Sequence, residues 1–179
     1  MSISRFHHVA YRCKDAGETV AFYKTHLGLE LVGAFAEDHV PSTKAPDPYM
    51  HIFIGVGPDN ILAFFELPNS PEMSRDLNTP DWVHHIALEM DSMDELIATR
   101  DKLAAGGVDV IGPIDHALFQ SIYFRDPNGH RLELAVNTAT PEQQQRMKDV
   151  AQLMVDDWSK TKTPPRHMAW AHELELKKH

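Results

Sequence analysis

Four residues have the types and placement to hold a divalent metal. "FHHVAY" (6–11) and "VHHIAL" (83–88) each carry a histidine pair, while "AFFEL" (63–67) and "HRLELAV" (130–136) each carry one glutamate. Imidazole nitrogen and carboxylate oxygen together suit first-row divalent cations. Successive side chains of a strand point to opposite faces, so each stretch separates into two sets. In "VHHIALEM", His84, Ile86, Leu88 and Met90 form an apolar set and His85, Ala87 and Glu89 the other. The first pair divides alike, with His7, Val9 and Tyr11 against His8, Ala10 and Arg12. Ala63, Phe65 and Leu67 oppose Phe64 and Glu66; Leu132, Leu134 and Val136 oppose Arg131, Glu133 and Ala135. His8, Glu66, His85 and Glu133 therefore fall on the small or polar faces. Charged residues on half-exposed sheet faces are the plainer account of any one of them. Four at equivalent places favour a shared metal, which would compensate carboxylates that burial otherwise penalises. His7 and His84 are expected as hydrogen-bonded core groups or as outer partners of the ligands. His51, in the third strand, stays open between the two readings.

An internal repeat has to position these residues. Residues 7–32 align with 84–111, each reading as a strand, a helix, a glycine turn (Gly28; Gly106–Gly107) and a second strand. Val20, Phe22, Tyr23 and Leu27 mark the first helix, and Leu96, Ile97, Leu103 and Ala104 the second, at helical spacing. Asp15 and either Asp91 or Ser92 suit the N-caps, with the glycines as C-caps. "YMHIFIGV" and "ILAFFEL" complete the first copy around a "GPDN" turn, and "FQSIYFR" and "HRLELAV" the second around "DPNG". The expected class is α+β, with βαβββ read twice (1–67 and 82–138). A polar, proline-rich linker (68–81) joins them, and a loop at 37–48 interrupts the first. A C-terminal helical extension (139–179) follows, with Met147, Val150, Ala151, Met154 and Trp158 along one stripe.

Bulk composition narrows the classes of partner. Seventeen Lys and Arg against 26 Asp and Glu give a net charge of −9, which argues against nucleic acid or an anionic membrane surface. No apolar run approaches a membrane span, and the N-terminus lacks a signal-peptide pattern. The single cysteine, Cys13, makes no internal disulfide, so a reducing cytoplasm is expected. His26, His167, His172 and His179 are set aside as surface or tail residues.

With these motifs in place, residues 5–137 resemble the vicinal-oxygen-chelate superfamily of glyoxalase I, extradiol ring-cleaving dioxygenases and bleomycin-resistance proteins. The resemblance implies two paired βαβββ modules forming a curved sheet around a metal cleft, where bidentate oxygen substrates chelate the metal, with ligands at His8, Glu66, His85 and Glu133. "IDHALFQSIYFRDPNGHRLE" (114–133) further resembles the extradiol signature. On that resemblance His116 donates to oxygen intermediates and Tyr123 to a catecholate oxygen. His8, His85 and Glu133 then form a two-His-one-carboxylate triad for Fe(II). Glu66 departs from this branch and resembles the four-ligand glyoxalase lyases, which use Ni, Zn, Co or Mn. There Glu66 or Glu133 would shuttle a proton, and Arg12 would bind an anionic part of the substrate. A non-catalytic drug-binding protein is a third class. The resemblance favours the dioxygenase, acting on a small molecule with vicinal oxygens. The modules would pair within one chain or by exchange across a homodimer.

Overall fold

The computed structural model describes residues 6–74 and 76–171. The element order is β1 (Val9–Cys13), α1 (Ala16–Leu27), β2 (Leu31–Glu37), β3 (Tyr49–Val56), β4 (Asn60–Glu66), β5 (Ile86–Glu89), α2 (Met93–Ala105), β6 (Ile111–Asp115), β7 (Phe119–Arg125), β8 (Arg131–Asn137) and α3 (Pro141–Thr161). This is βαβββ twice, followed by a helix, as the repeat requires. Each copy makes a four-stranded sheet, in the orders β1-β4-β3-β2 and β5-β8-β7-β6. In both, the first strand of the copy lies beside the last. The contacts gather into two compact units. One runs to Ile86 and takes in 102–109 and 125–132; the other comprises 87–101, 110–124 and the chain from Glu133.

In the first unit β1 runs parallel to β4, and β3 is antiparallel to both β4 and β2. Asp15 caps α1 by accepting from the Glu18 N–H at 2.7 Å, and Gly28 closes the helix at φ 69°. The buried stripe of α1 is Ala16, Thr19 and Tyr23, not the expected Val20, Phe22 and Leu27. Tyr23 lies at 5.4 Å from Phe64 by ring centres, and Ile52, Ile54 and Leu62 are buried in the same layer. Tyr23 and Thr19 carry hydroxyls into this layer because "DPNG" supplies their partners. The buried Asp126 carboxylate accepts from the Tyr23 hydroxyl (3.2 Å), the Asn128 N–H and side-chain amide, and the His130 N–H. Asn128 in turn donates to Thr19 at 3.0 Å and accepts from the Lys14 N–H at 2.8 Å. Burial, and after it the Asp126 charge, push the Tyr23 hydroxyl well above the ordinary tyrosine range.

In the second unit Leu96, Ile122, Phe124, Leu134 and Val136 are buried. Ser92 accepts from the Glu95 N–H at 3.3 Å at the start of α2, settling the cap between the two expected residues. β6 pairs with β7 through a bulge between Ile111 and Ile114. Gly112 sits in the bulge at φ +111°, where an added Cβ would stand 2.6 Å from the Ser121 carbonyl. Thr140 and Gln143 form a capping box at the start of α3. No α3 residue is fully buried, and Arg146 of the helix lies over the Trp170 ring at 4.6 Å. Beyond the helix, Met168, Trp170 and Ala171 pack on Ala117, Leu118 and Phe119. No helix among the described residues is long and apolar enough to cross a membrane.

Candidate metal centre

The pairing register fixes what shares a face in the first sheet. Arg12, Phe65, His51 and Phe35 lie in one row across β1, β4, β3 and β2, and Ala10, Ala63, Phe53 and Gly33 in the next. His8, one residue before β1, continues the Arg12–Ala10 set. Its ring lies 6.4 Å from that of His51 and 6.3 Å from that of Phe53. His51 is stacked on Phe65 with ring centres 3.6 Å apart. Burial, and secondarily the nearby His8, hold His51 below the ordinary histidine range, so it is a neutral imidazole at pH 7. His51 Nε2 is buried without a hydrogen-bond partner. Arg12 donates from Nη2 to the Pro71 carbonyl at 2.5 Å, while its Nε is also buried and unpartnered.

Glu66 does not share this face. It pairs in register with Cys13 and Met50, alongside the layer that holds Phe64 and Tyr23. Its carboxylate accepts from the Ala16 N–H at 2.7 Å, at the first turn of α1. A helix N-terminus offers free N–H groups and positive potential, and a carboxylate one turn away takes them. The parity reading failed because Phe64 and Phe65 are consecutive aromatics with no polar residue between to mark the faces. Phe64 is fully buried and Phe65 only partly, so the packed side is that of Phe64 and Glu66. His7 and His84 depart from expectation too, both being exposed rather than packed in a layer. His7 keeps the outer-partner alternative, with its Nδ1 at 2.7 Å from His8 Nδ1.

His85 donates from Nδ1 to the Val83 carbonyl at 3.0 Å. A carbonyl only accepts, so Nδ1 carries a proton and is the donor. Metal-binding histidines are commonly held in this way, by a backbone carbonyl on the second nitrogen. In the second unit three predicted residues meet. Glu133 is 4% exposed, and its Oε1 accepts from Ser121 at 2.5 Å and from the Tyr123 hydroxyl at 3.1 Å. Tyr123 has one proton to give, so with that proton on Glu133 it accepts from His116 Nε2 at 2.8 Å. A tight turn carries His116: its N–H donates to the Phe119 carbonyl at 2.9 Å, and its ring stacks on Phe119 with centres 4.7 Å apart. Ser121 was missed from sequence, although strand alternation in "FQSIYFR" puts it beside Tyr123. Among the described residues no three His, Cys, Asp or Glu side chains stand close enough together to hold a metal ion.

Comparison with known proteins bears on what this geometry is for. The family model of the Glyoxalase/Bleomycin resistance protein/Dioxygenase superfamily matches residues 5–134. The chain is 29% identical over 142 residues to "Lactoylglutathione lyase GLX1" of Arabidopsis thaliana, covering 77% of this chain and 46% of that protein. It is 32% identical over 62 residues to "Biphenyl-2,3-diol 1,2-dioxygenase 2" of Rhodococcus globerulus, covering 34% of this chain and 33% of that one. The chain thus spans half or less of the length of both relatives. Among solved structures, the glyoxylase/bleomycin resistance protein/dioxygenase domain from Frankia sp. EAN1pec superposes with a TM-score of 0.60 at 18% identity, covering 76% of this chain and 99% of that one. The antibiotic binding protein TnmS3 from Streptomyces sp. CB03234 gives 0.56 at 22% identity, covering 77% and 99%. These two share its fold.

Proposed function

We propose, since the chain belongs to the Glyoxalase/Bleomycin resistance protein/Dioxygenase superfamily, that it is a metal-dependent enzyme of the extradiol type that cleaves a catechol-like vicinal diol. The observation that carries this reading is the His116–Tyr123–Glu133 chain of hydrogen bonds. His8, His85 and Glu133 are the ligands in this proposal. Their chemistry is that of metal ligands: His85 has its Nδ1 engaged by the Val83 carbonyl, and Glu133 is fixed by the Ser121 and Tyr123 hydroxyls. Fe(II), when bound, would gather two vicinal oxygens and relay electrons from the diol, the net reductant, to O2. The chain's own residues then manage protons. Tyr123 would direct its hydroxyl at a phenolic oxygen of the substrate, and His116 would donate its Nε2 proton to oxygen as the ring carbon–carbon bond opens. Ser121 keeps the Glu133 carboxylate fixed while Tyr123 exchanges partners.

A lyase of the glyoxalase kind is the second reading, favoured by the alignment to the Arabidopsis protein along three-quarters of the chain. It needs a carboxylate base, and with Glu66 tied to the Ala16 N–H that part falls to Glu133. A drug-sequestering role like that named for TnmS3 is a third. A cytoplasmic homodimer is the setting proposed for all three. Anaerobically prepared protein loaded with Fe(II) should consume oxygen with members of a catechol panel. Inactivity across the panel with Fe(II) bound would sink the dioxygenase reading. Turnover of the methylglyoxal–glutathione hemithioacetal by Ni- or Zn-loaded protein would put the lyase in its place.

A further inference from the structure

The turn that carries His116 holds a strained residue. Ala117 has a left-handed backbone at φ 69°, which a non-glycine residue keeps only where its surroundings hold it there. Asp115 Oδ1 accepts from the Ala117 N–H at 2.7 Å, and the Leu118 N–H donates to the His116 carbonyl at 2.8 Å. The Leu118 carbonyl accepts from the N–H groups of Thr138 and Ala139, both at 2.9 Å. These bonds fix the backbone of the turn, while the His116 ring rests on Phe119. Phe119, with Ala117 and Leu118, is packed in turn on Met168, Trp170 and Ala171. That terminal segment is itself tied to α3. The Arg146 guanidinium lies 4.6 Å from the centre of the Trp170 ring, and His167 Nε2 stands 2.8 Å from Asp157 Oδ2. The Trp170 indole N–H is buried without a hydrogen-bond partner among the described residues. An unmade donor is a cost that a purely apolar side chain avoids, so what the place uses is the large ring. All of this lies beyond residue 134, where the match to the family model ends.

We propose that Trp170 is a positioning residue for His116. Together with Met168 it backs the 117–119 turn, which keeps Phe119 against the imidazole and so keeps Nε2 at 2.8 Å from the Tyr123 hydroxyl. Trp170 acts through Phe119 and touches no reacting atom. The inference rests on the proton role given to His116 above and adds the C-terminal segment to it. A reacting group misplaced by about 1 Å can lose on the order of a hundredfold in rate, so a support of this kind governs kcat.

Two measurements on the full chain test this, one with substrate and one without. In Fe(II)-loaded protein turning over the best catechol, Trp170→Ala should lower kcat about five- to fiftyfold, with KM and Fe(II) affinity within about twofold. Trp170→Phe should return kcat to within about twofold of the wild type, because its ring still packs and buries no unmade donor. Met168→Ala, a smaller loss from the same cluster, should show a lesser fall in kcat and stands in where Trp170→Ala does not fold. Imidazole nitrogen NMR reads the His116 ring without substrate, its signals identified by their absence in His116→Gln. The wild type and Trp170→Phe should show one tautomer, protonated at Nε2, and Trp170→Ala and Met168→Ala a mixture. An unchanged tautomer in the folded alanine variants overturns the proposal, as does a loss of kcat in Trp170→Phe equal to that in Trp170→Ala. A changed tautomer in a chain whose wild type turns over no catechol keeps the positioning role and removes the diol reading. Catechol turnover with the tautomer unchanged in every variant does the reverse.

Discussion

Tyr123 sits between an imidazole and a buried carboxylate, and that position separates its role from the ligands'. Tyr123→Phe removes the proton that would meet a phenolic oxygen but leaves Ser121 on Glu133. Turnover of the best catechol should fall by about ten- to a thousandfold, with Fe(II) affinity changed by less than about threefold; a matched loss of metal would refute the assignment. Glu66→Gln is the complementary case, since an amide oxygen still accepts from the Ala16 N–H. Metal affinity should be unchanged and stability lowered by less than about 1 kcal/mol, read by urea melts. Cys13 gives a pH signature. Burial chiefly, against a lesser opposing hydrogen bond from Thr19, pushes its thiol up to about 11. The folded chain keeps a proton that the unfolded chain loses near pH 8.5–9, roughly. Its contribution to stability is therefore whole below that range and drains away as pH rises through about 11. The melting temperature should drop between those limits in the wild type and less so in Cys13→Ala, with Cys13 inert to thiol reagents at pH 8 until the chain unfolds. At this scale the sequence was legible where polar and apolar residues alternate, as around Glu133. It misled where two phenylalanines adjoin, as before Glu66.

The repeat made nearly every element readable, because each copy had to supply the same strand, helix and three strands. Sequence could not show that "DPNG" does more than turn a hairpin. Asp126 and Asn128 reach Thr19 and Tyr23 of α1, some hundred positions earlier, and only the fold brings these polar groups together. That also explains why the buried stripe of α1 passes through a threonine and a tyrosine rather than the more apolar Val20 and Leu27. Asp126→Ala strips acceptors from four donors at once, and should cost about 2–4 kcal/mol in urea unfolding. Tyr23→Phe removes one of them and should cost about 1–2 kcal/mol. Equal effects from the two would mean the network is not centred on Asp126. Gly112 is the matching point on β6. Gly112→Ala combines a disfavoured φ with a Cβ against the Ser121 backbone, and Ser121 is the residue that holds Glu133. It should cost at least about 2 kcal/mol and weaken metal binding together with stability.

At the scale of the whole molecule, the proposed ligands belong to both copies of the repeat, one histidine in the first and a histidine and a glutamate in the second. A metal that binds the folded chain and not the unfolded one stabilises it by RT ln(1 + [M]/Kd), or about 2.7 kcal/mol at a hundred times Kd. For a chain of 179 residues that corresponds to a rise in melting temperature of roughly 5–10 °C. The rise should reverse on chelation. The net charge of −9 draws cations from beyond contact range, and salt screens that attraction beyond about 8 Å. Metal association should therefore slow as ionic strength increases, while the melting shift at saturating metal stays nearly constant. His8→Ala and Glu133→Ala should each abolish the shift, and Glu66→Gln should keep it. A shift retained in His8→Ala would mean that the second copy binds the metal alone, and the chelating site would then have to be rebuilt without the first.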